Sequence, residues 1–322
     1  MRPPNLPILS VCFLALFTFP ASSVPQVVRL DIVKQGDFFN LYWPSSIIDA
    51  TLEFSTELNP DSWDTLDLAP NLVDDRWKVT LPDFDGSAFY RLRYQDAPVV
   101  DGFTTQRIHG FNVLVNDDDA ASHASGLQTA IDELATQLSA IAALDLNADV
   151  LAKIRGFKIF LVWNVRSDGA AWYHPSQQWL IDNGRDPAKA LSVEIANATN
   201  FVNWSRQNQP WMVFHELTHA YHHQVLGYGH APTIAAFQNA TNTGIYDSVL
   251  YNPGSGQSNF TRPAYALTNE TEYIAEISEA FFGENDFYPF TRTDLETHDP
   301  TGYALMLDVW QVNASTAVDR HP

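Results

Sequence analysis

The sequence predicts an α+β multidomain chain, an N-terminal all-β sandwich followed by a mixed α/β domain. Three observations point there. Short runs of alternating or β-branched and aromatic residues fill the stretch from about Gln26 to Tyr94. Helical periodicities take over after the linker-like segment QDAPVVDGFTT, Gln95 to Thr105. The chain has 322 residues, of which 45% are hydrophobic and 13% aromatic, enough for two packed units. The expected division is a leader over 1–23, a β module over 24–95, a linker over 96–105 and a larger domain over 106–322.

The leader has the composition of a secretory signal. Arg2 is a short positive start, Ile8 to Phe19 is apolar except for Ser10 and Thr18, and Ala21-Ser22-Ser23 is a small-residue cleavage site. The apolar run is short for a membrane span, and no later segment is long and apolar enough for one. The expected location is therefore secreted, extracellular or periplasmic. Cys12 is the only cysteine, so the expected mature chain has no disulfide. Cysteine is thereby removed as nucleophile or metal ligand, and chemistry must rest on His, Glu, Asp, Tyr and Ser. A net charge of −20 disfavours nucleic acid and anionic membranes as partners.

In the β module the runs VVRLDIV, FFNLYW, ATLEFS, RWKVTL and AFYRLRY are the strand candidates. Asn59-Pro60-Asp61 and Asp83-Phe84-Asp85-Gly86 supply turns between them. Trp43, Trp63 and Trp77 are either core and edge aromatics or a face for carbohydrate or surface contact; the core role is preferred. The segment LEFSTELNPDSWDTL followed by GSAFYRLRY resembles small β-sandwich modules attached to bacterial secreted proteins.

The larger domain opens with a strand at Gly110 to Asn116 and a solvated helix start at Asp117-Asp118-Asp119. Ser125 to Leu144 carries Leu127, Ile131, Leu134, Leu138 and Ile141 on one helical face. A short helix is expected over Ala148 to Ile154, and FKIFLVWN, Phe157 to Asn164, reads as a buried strand. Trp172, Tyr173 and His174 sit at a bend set by Pro175, followed by a short helix over Ser176 to Asp182. His174 is a candidate for the substrate cleft. ALSVEIA, Ala190 to Ala196, is a strand expected at the lip of that cleft, with Val193 as a second candidate. A loop-rich stretch is expected after Gly227 through Pro263, and GYALMLDVWQV is a closing helix. Asn197, Asn203, Asn239, Asn259, Asn269 and Asn313 each begin an N-x-[ST] triplet, which cysteine absence makes us assign to chance composition.

Chemistry concentrates in PWMVFHELTHAYHHQVLG, Pro210 to Gly227. Pro210 suits a first helical position and Gly227 a C-terminal cap. Phe214, Leu217, Thr218, Tyr221 and Val225 form a largely apolar stripe. His215-Glu216-Leu217-Thr218-His219 is an H-E-x-x-H, which puts two imidazoles one turn apart on one face with a carboxylate beside them. Two ligands do not complete a catalytic zinc site. Val225 stands where a three-histidine pattern needs its third histidine, so that pattern fails. His222 and His223 are too close to His219 for that geometry, although His222 lies on roughly the same face, seven residues after His215, and a glutamate on a separate downstream helix is the third source. TNETEYIAEISEAFFG, Thr268 to Gly283, is a strong helix with Glu272, Glu276 and Glu279 at i, i+4 and i+7 and no Lys or Arg beside them.

H-E-x-x-H followed by an N-E-x-E-x-x-A-E segment resembles the gluzincin metallopeptidases, most of all the anthrax lethal-factor-type catalytic domain. The resemblance spans roughly Met212 to Gly283. It implies a zincin-like α/β metallopeptidase domain with one zinc ion held by His215, His219 and Glu272. Glu216 falls on the general base and Tyr265 on the oxyanion donor. Glu276 falls on a glutamate that orients a histidine ligand through its distal N–H. His222 and His223 depart from the family pattern, which has acidic residues there. The implied function is a secreted zinc peptidase acting on peptide or protein. A zinc amidase acting on a non-peptide amide is a second reading, and a surface-binding protein with a structural zinc is a third.

Overall fold

The computed structural model describes residues 30–312 except 45–49, 60–61, 67, 69, 75, 84–86, 94–97 and 255. The expected leader with Cys12, and the triplet at Asn313, lie outside the described residues. The chain divides into two compact units, 1–96 and 97–322, and its fold is mixed α+β.

Among its described residues the first unit contains seven strands: β1 (Asp31–Gln35), β2 (Phe38–Pro44), β3 (Thr51–Ser55), β4 (Asp64–Thr65), β5 (Asn71–Val73), β6 (Arg76–Pro82) and β7 (Phe89–Arg93). They form two antiparallel sheets, ordered β1-β2-β6-β5 and β4-β3-β7. Period-two alternation explains the core. Leu41 and Trp43 of β2 point inward and meet Val79 and Leu81 of β6, and Leu52 reaches the same cluster from the other sheet. Trp43 is 2% exposed, which withdraws it from any binding face. Trp77 lies opposite it in register and packs on the same core, while the Arg91 guanidinium stacks 4.2 Å from the Trp63 ring.

The second unit begins with β8 (Phe103–Ile108), β9 (Phe111–Asn116), α1 (Asp117–Ser122), α2 (Ala124–Ala142), α3 (Ala148–Gly156), β10 (Lys158–Leu161), β11 (Ala171–His174), α4 (Gln177–Asp182) and β12 (Ser192–Ile195). It continues with α5 (Ala198–Gln207), α6 (Met212–Tyr221), α7 (Ala231–Thr243), the hairpin β13 (Val249–Tyr251) and β14 (Phe260–Arg262), α8 (Glu270–Phe282), α9 (Arg292–His298) and α10 (Pro300–Val309). One sheet runs β11-β12-β10-β9-β8, with β9, β10 and β12 parallel and both outer strands antiparallel. The central strands are almost wholly buried, as parallel strands covered on both faces must be. α2 puts Leu127, Leu134, Leu138 and Ile141 into the core at helical spacing.

Four sequence expectations change here. β8 starts at Phe103, inside the expected linker over 96–105, and the Thr105 hydroxyl donates to the Pro98 carbonyl at 2.6 Å. The stretch after Gly227 contains α7, whose buried residues are only Thr233, Ala236 and Ala240. Such small residues pack closely on α8 and α10 without forming a recognisable apolar stripe. The strand Ala190 to Ala196 shrinks to β12, and it lies between β11 and β10 with no free edge. The sheet edge at that end is β11, where the bend before Pro175 had concealed a strand.

Candidate metal centre

α6 is a core helix first. Met212, Val213, Phe214, Leu217, Thr218, Ala220 and Tyr221 are buried, leaving one narrow polar stripe. Phe214 and Tyr221 pack on the Trp310 ring at centroid distances of 5.1 and 5.0 Å, and Trp310 Nε1–H donates to Ser278 Oγ of α8 at 3.1 Å. Each large apolar side chain so buried contributes about 1.5–3 kcal/mol. The helix starts at Met212, two residues after the expected Pro210, and its N-cap Trp211 offers no side-chain bond. A buried amide from another helix takes that role: Gln137 Oε1 accepts from Val213 N–H at 3.0 Å, while Gln137 Nε2–H donates to Ser205 Oγ at 2.8 Å. After Tyr221 the chain widens into a π-turn over His222–Leu226 and leaves at Gly227, whose φ of 79° favours glycine.

α8 supplies the opposing carboxylates. Asn269 Oδ1 caps it, accepting from Thr271 N–H and Glu272 N–H at 2.9 Å each. That cap sets Glu272 in the first turn, and the Asn269 triplet is thereby a helix cap. Successive turns present Glu276 and Glu279, both buried, toward α6.

The stripe of α6 and the face of α8 converge. His215 Nε2 stands 3.1 Å from Glu272 Oε2, and His219 Nε2 stands 3.3 Å from the same oxygen. The two imidazole rings are 4.7 Å apart and nearly perpendicular. One ligand atom from each of His215, His219 and Glu272 lies within 4.8 Å of the others, so the three could hold a metal ion. Ligands about 2.0–2.1 Å from a tetrahedral ion lie about 3.3 Å apart, and the two histidine-to-glutamate separations match. Two imidazoles and one carboxylate are a donor set that zinc takes, as do other first-row metals.

Behind this set, His215 Nδ1–H donates to Glu279 Oε1 at 2.7 Å. Glu276, expected in that role, is 3.8 Å away and instead accepts from Asn285 Nδ2–H at 3.3 Å. Both carboxylates share one face of α8, and the height and rotation of α8 against α6 bring Glu279 rather than Glu276 to the far side of the His215 ring.

The electrostatics of the cluster are those of crowded buried carboxylates. Burial opposes a charged His215, yet the bonds to Glu272 and Glu279 carry its pKa well above the usual histidine range. Burial also opposes charge on Glu272, and the two histidines outweigh it, so its pKa falls. Burial and then Glu279 and Asp286 push Glu276 well up. Burial and then Glu279 lift Asp286 to about 7, although Gln209 and Asn208 donate to it at 3.3 and 3.2 Å.

Glu216 is half-buried on α6 beside the two histidines. Tyr265 lies in a 3-10 turn just before α8 and is 47% exposed. Burial of its hydroxyl raises its pKa, and the Glu272 carboxylate raises it further, which places the phenol within the field of the cluster.

His174 and Val193 do not join the site. Val193 is fully buried in β12. His174 is 4% exposed, bound through Nε2 to Glu194 Oε2 at 2.7 Å, and Glu194 Oε1 accepts from Lys189 Nζ–H at 2.5 Å. The triad serves to fasten β11 to β12. His222 is fully buried, neither ring nitrogen has a hydrogen-bond partner among the described residues, and the converging group of His215, His219 and Glu272 does not include it. Its pKa drops to about 4 through burial and its histidine neighbours. Gln137 gave no chemical signal in the sequence, because a buried amide in an amphipathic helix looks like a lapse in the apolar stripe.

No family model, no curated protein and no solved structure matches this chain.

Proposed function

We propose that this chain is a secreted zinc-dependent metallopeptidase of the gluzincin type, with zinc held by His215, His219 and Glu272. One observation carries this reading: ligand atoms from two helices, separated by more than fifty residues in sequence, come within 4.8 Å of one another. A glutamate lies beside the histidines and a half-exposed phenol lies in the field of the third ligand. Zinc bound there supplies Lewis acidity, lowering the pKa of a water toward neutrality and polarising a carbonyl.

The residues of the chain do the rest. Glu216 takes the proton of the attacking water and returns it to the leaving amine. The Tyr265 hydroxyl donates a hydrogen bond to the developing oxyanion. Glu279 holds His215 in the tautomer that leaves Nε2 free. A peptide is favoured over a small amide because β11, packed against α6, has an outer edge unpaired among the described residues. An extended peptide can add there as a further strand. A structural zinc needs neither Glu216 nor Tyr265. The first unit, with two antiparallel sheets around one small core, supports a β-sandwich module.

Zinc analysis together with cleavage of a peptide library tests the proposal, with Glu216→Gln as control. The expected result is one zinc per chain in both proteins and hydrolysis only in the wild type. A wild-type protein that binds zinc and cleaves no peptide sinks the peptidase reading, as does Glu216→Gln with undiminished activity.

A further inference from the structure

Beyond the residues already assigned, the π-turn after α6 holds up one more side chain. Gly227, at φ 79°, and Gly229 flank Tyr228, and neither glycine has anything within 4 Å of where a Cβ would stand. The Tyr228 ring is nonetheless braced. One face stacks on His223 at 4.5 Å with the planes 20° apart, and the ring meets His222 edge-on at 5.4 Å. His223 is anchored in turn, its Nδ1 accepting from the Tyr173 hydroxyl at 2.8 Å, and Tyr173 belongs to the edge strand β11. A chain of contacts thus joins Tyr228 to the turn that ends the metal-binding helix and, through His223, to Tyr173 of β11.

Its hydroxyl end is the unusual part. Tyr228 is 38% exposed, and its hydroxyl makes no hydrogen bond to any described residue. Burial raises its pKa, and Glu272 is the next cause, as it is for Tyr265. Tyr228 and Tyr265 thus come from separate segments, and neither hydroxyl has a protein hydrogen-bond partner among the described residues.

We infer that the Tyr228 hydroxyl is a second substrate-facing donor, which holds a backbone carbonyl of a peptide bound along β11 while Tyr265 serves the carbonyl being cleaved. The ring stack on His223 fixes its aim in advance, so little freedom is lost on binding. The inference rests on the peptidase reading.

Tyr228→Phe removes the hydroxyl and keeps the stack, so it isolates the donor. In wild type and Tyr228→Phe, kcat and KM are measured on one cleaved peptide. Binding of that peptide is measured by calorimetry in Glu216→Gln and in Glu216→Gln/Tyr228→Phe, which hold substrate without turning it over. The expected result is a fall in kcat/KM of about five- to tenfold, carried by KM, with a matching loss of affinity in the inactive pair and unchanged zinc content. Wild-type KM and affinity in the Phe proteins overturn the inference and leave the peptidase reading standing. Loss of zinc with activity also overturns it, since the tyrosine would then be supporting the metal. A wild type that cleaves no peptide overturns both.

Discussion

Glu279 Oε1 accepts the Nδ1 proton of His215 at 2.7 Å, and Glu276, one turn earlier, stops at 3.8 Å. A carboxylate on the far nitrogen fixes the ring and makes the near nitrogen a better ligand. Glu279→Gln is expected to weaken zinc binding by about 10–100-fold, and Glu276→Gln by much less. Chelator competition on the two variants measures this, and the reverse order would return the orienting role to Glu276.

The N-terminus of α6 depends on a side chain from α2. Gln137 joins Val213 N–H and Ser205 Oγ in the interior. Gln137→Leu leaves both groups buried without a partner, at a cost of about 1–3 kcal/mol. Urea unfolding would show it as a lowered midpoint, and a shift below about 0.5 kcal/mol would mean that water or a rearranged chain replaces the amide.

Glu194 makes stability depend on acid. Its carboxyl is 3% exposed and is held down at about 2 from 4.5, because the bonds to His174 and Lys189 outweigh burial. A depressed carboxylate stabilises the fold above its unfolded pKa, and that contribution drains away as pH falls from about 4.5 toward about 2. The loss over that window is on the order of 3 kcal/mol, and Glu194→Gln should remove it along with a large part of the stability at neutral pH. Unfolding followed from pH 5 to pH 2 tests this; parallel slopes in wild type and variant would assign the acid sensitivity to other carboxylates.

The candidate site was unevenly legible in the sequence. The histidine pair needs only helical spacing, so His215 and His219 followed from the motif. Glu272 and Tyr265 came from a resemblance, and the structure brings Glu272 to both histidines. The three-glutamate stripe was visible, but which member reaches His215 depends on the height and rotation of α8 against α6, and no spacing rule contains that. The same limit misplaced His174. A histidine at a bend beside two aromatics looks available, and only the pairing of β11 with β12 reveals that Glu194 has claimed it.

By itself, the sequence determined the local features: an amphipathic helix carrying two imidazoles, a capped helix of unpaired carboxylates, and a change from strand-like to helical periodicity. These follow from side chains a few residues apart, which feel one another in any compact state. Tertiary structure alone decided that Gln137 caps α6, that Glu279 backs His215, that β11 rather than β12 is the sheet edge, and that the small-residue stretch after Gly227 forms α7. Each of these is a contact between segments far apart in the chain. Such contacts are chosen by how the whole core packs, which local periodicity does not encode.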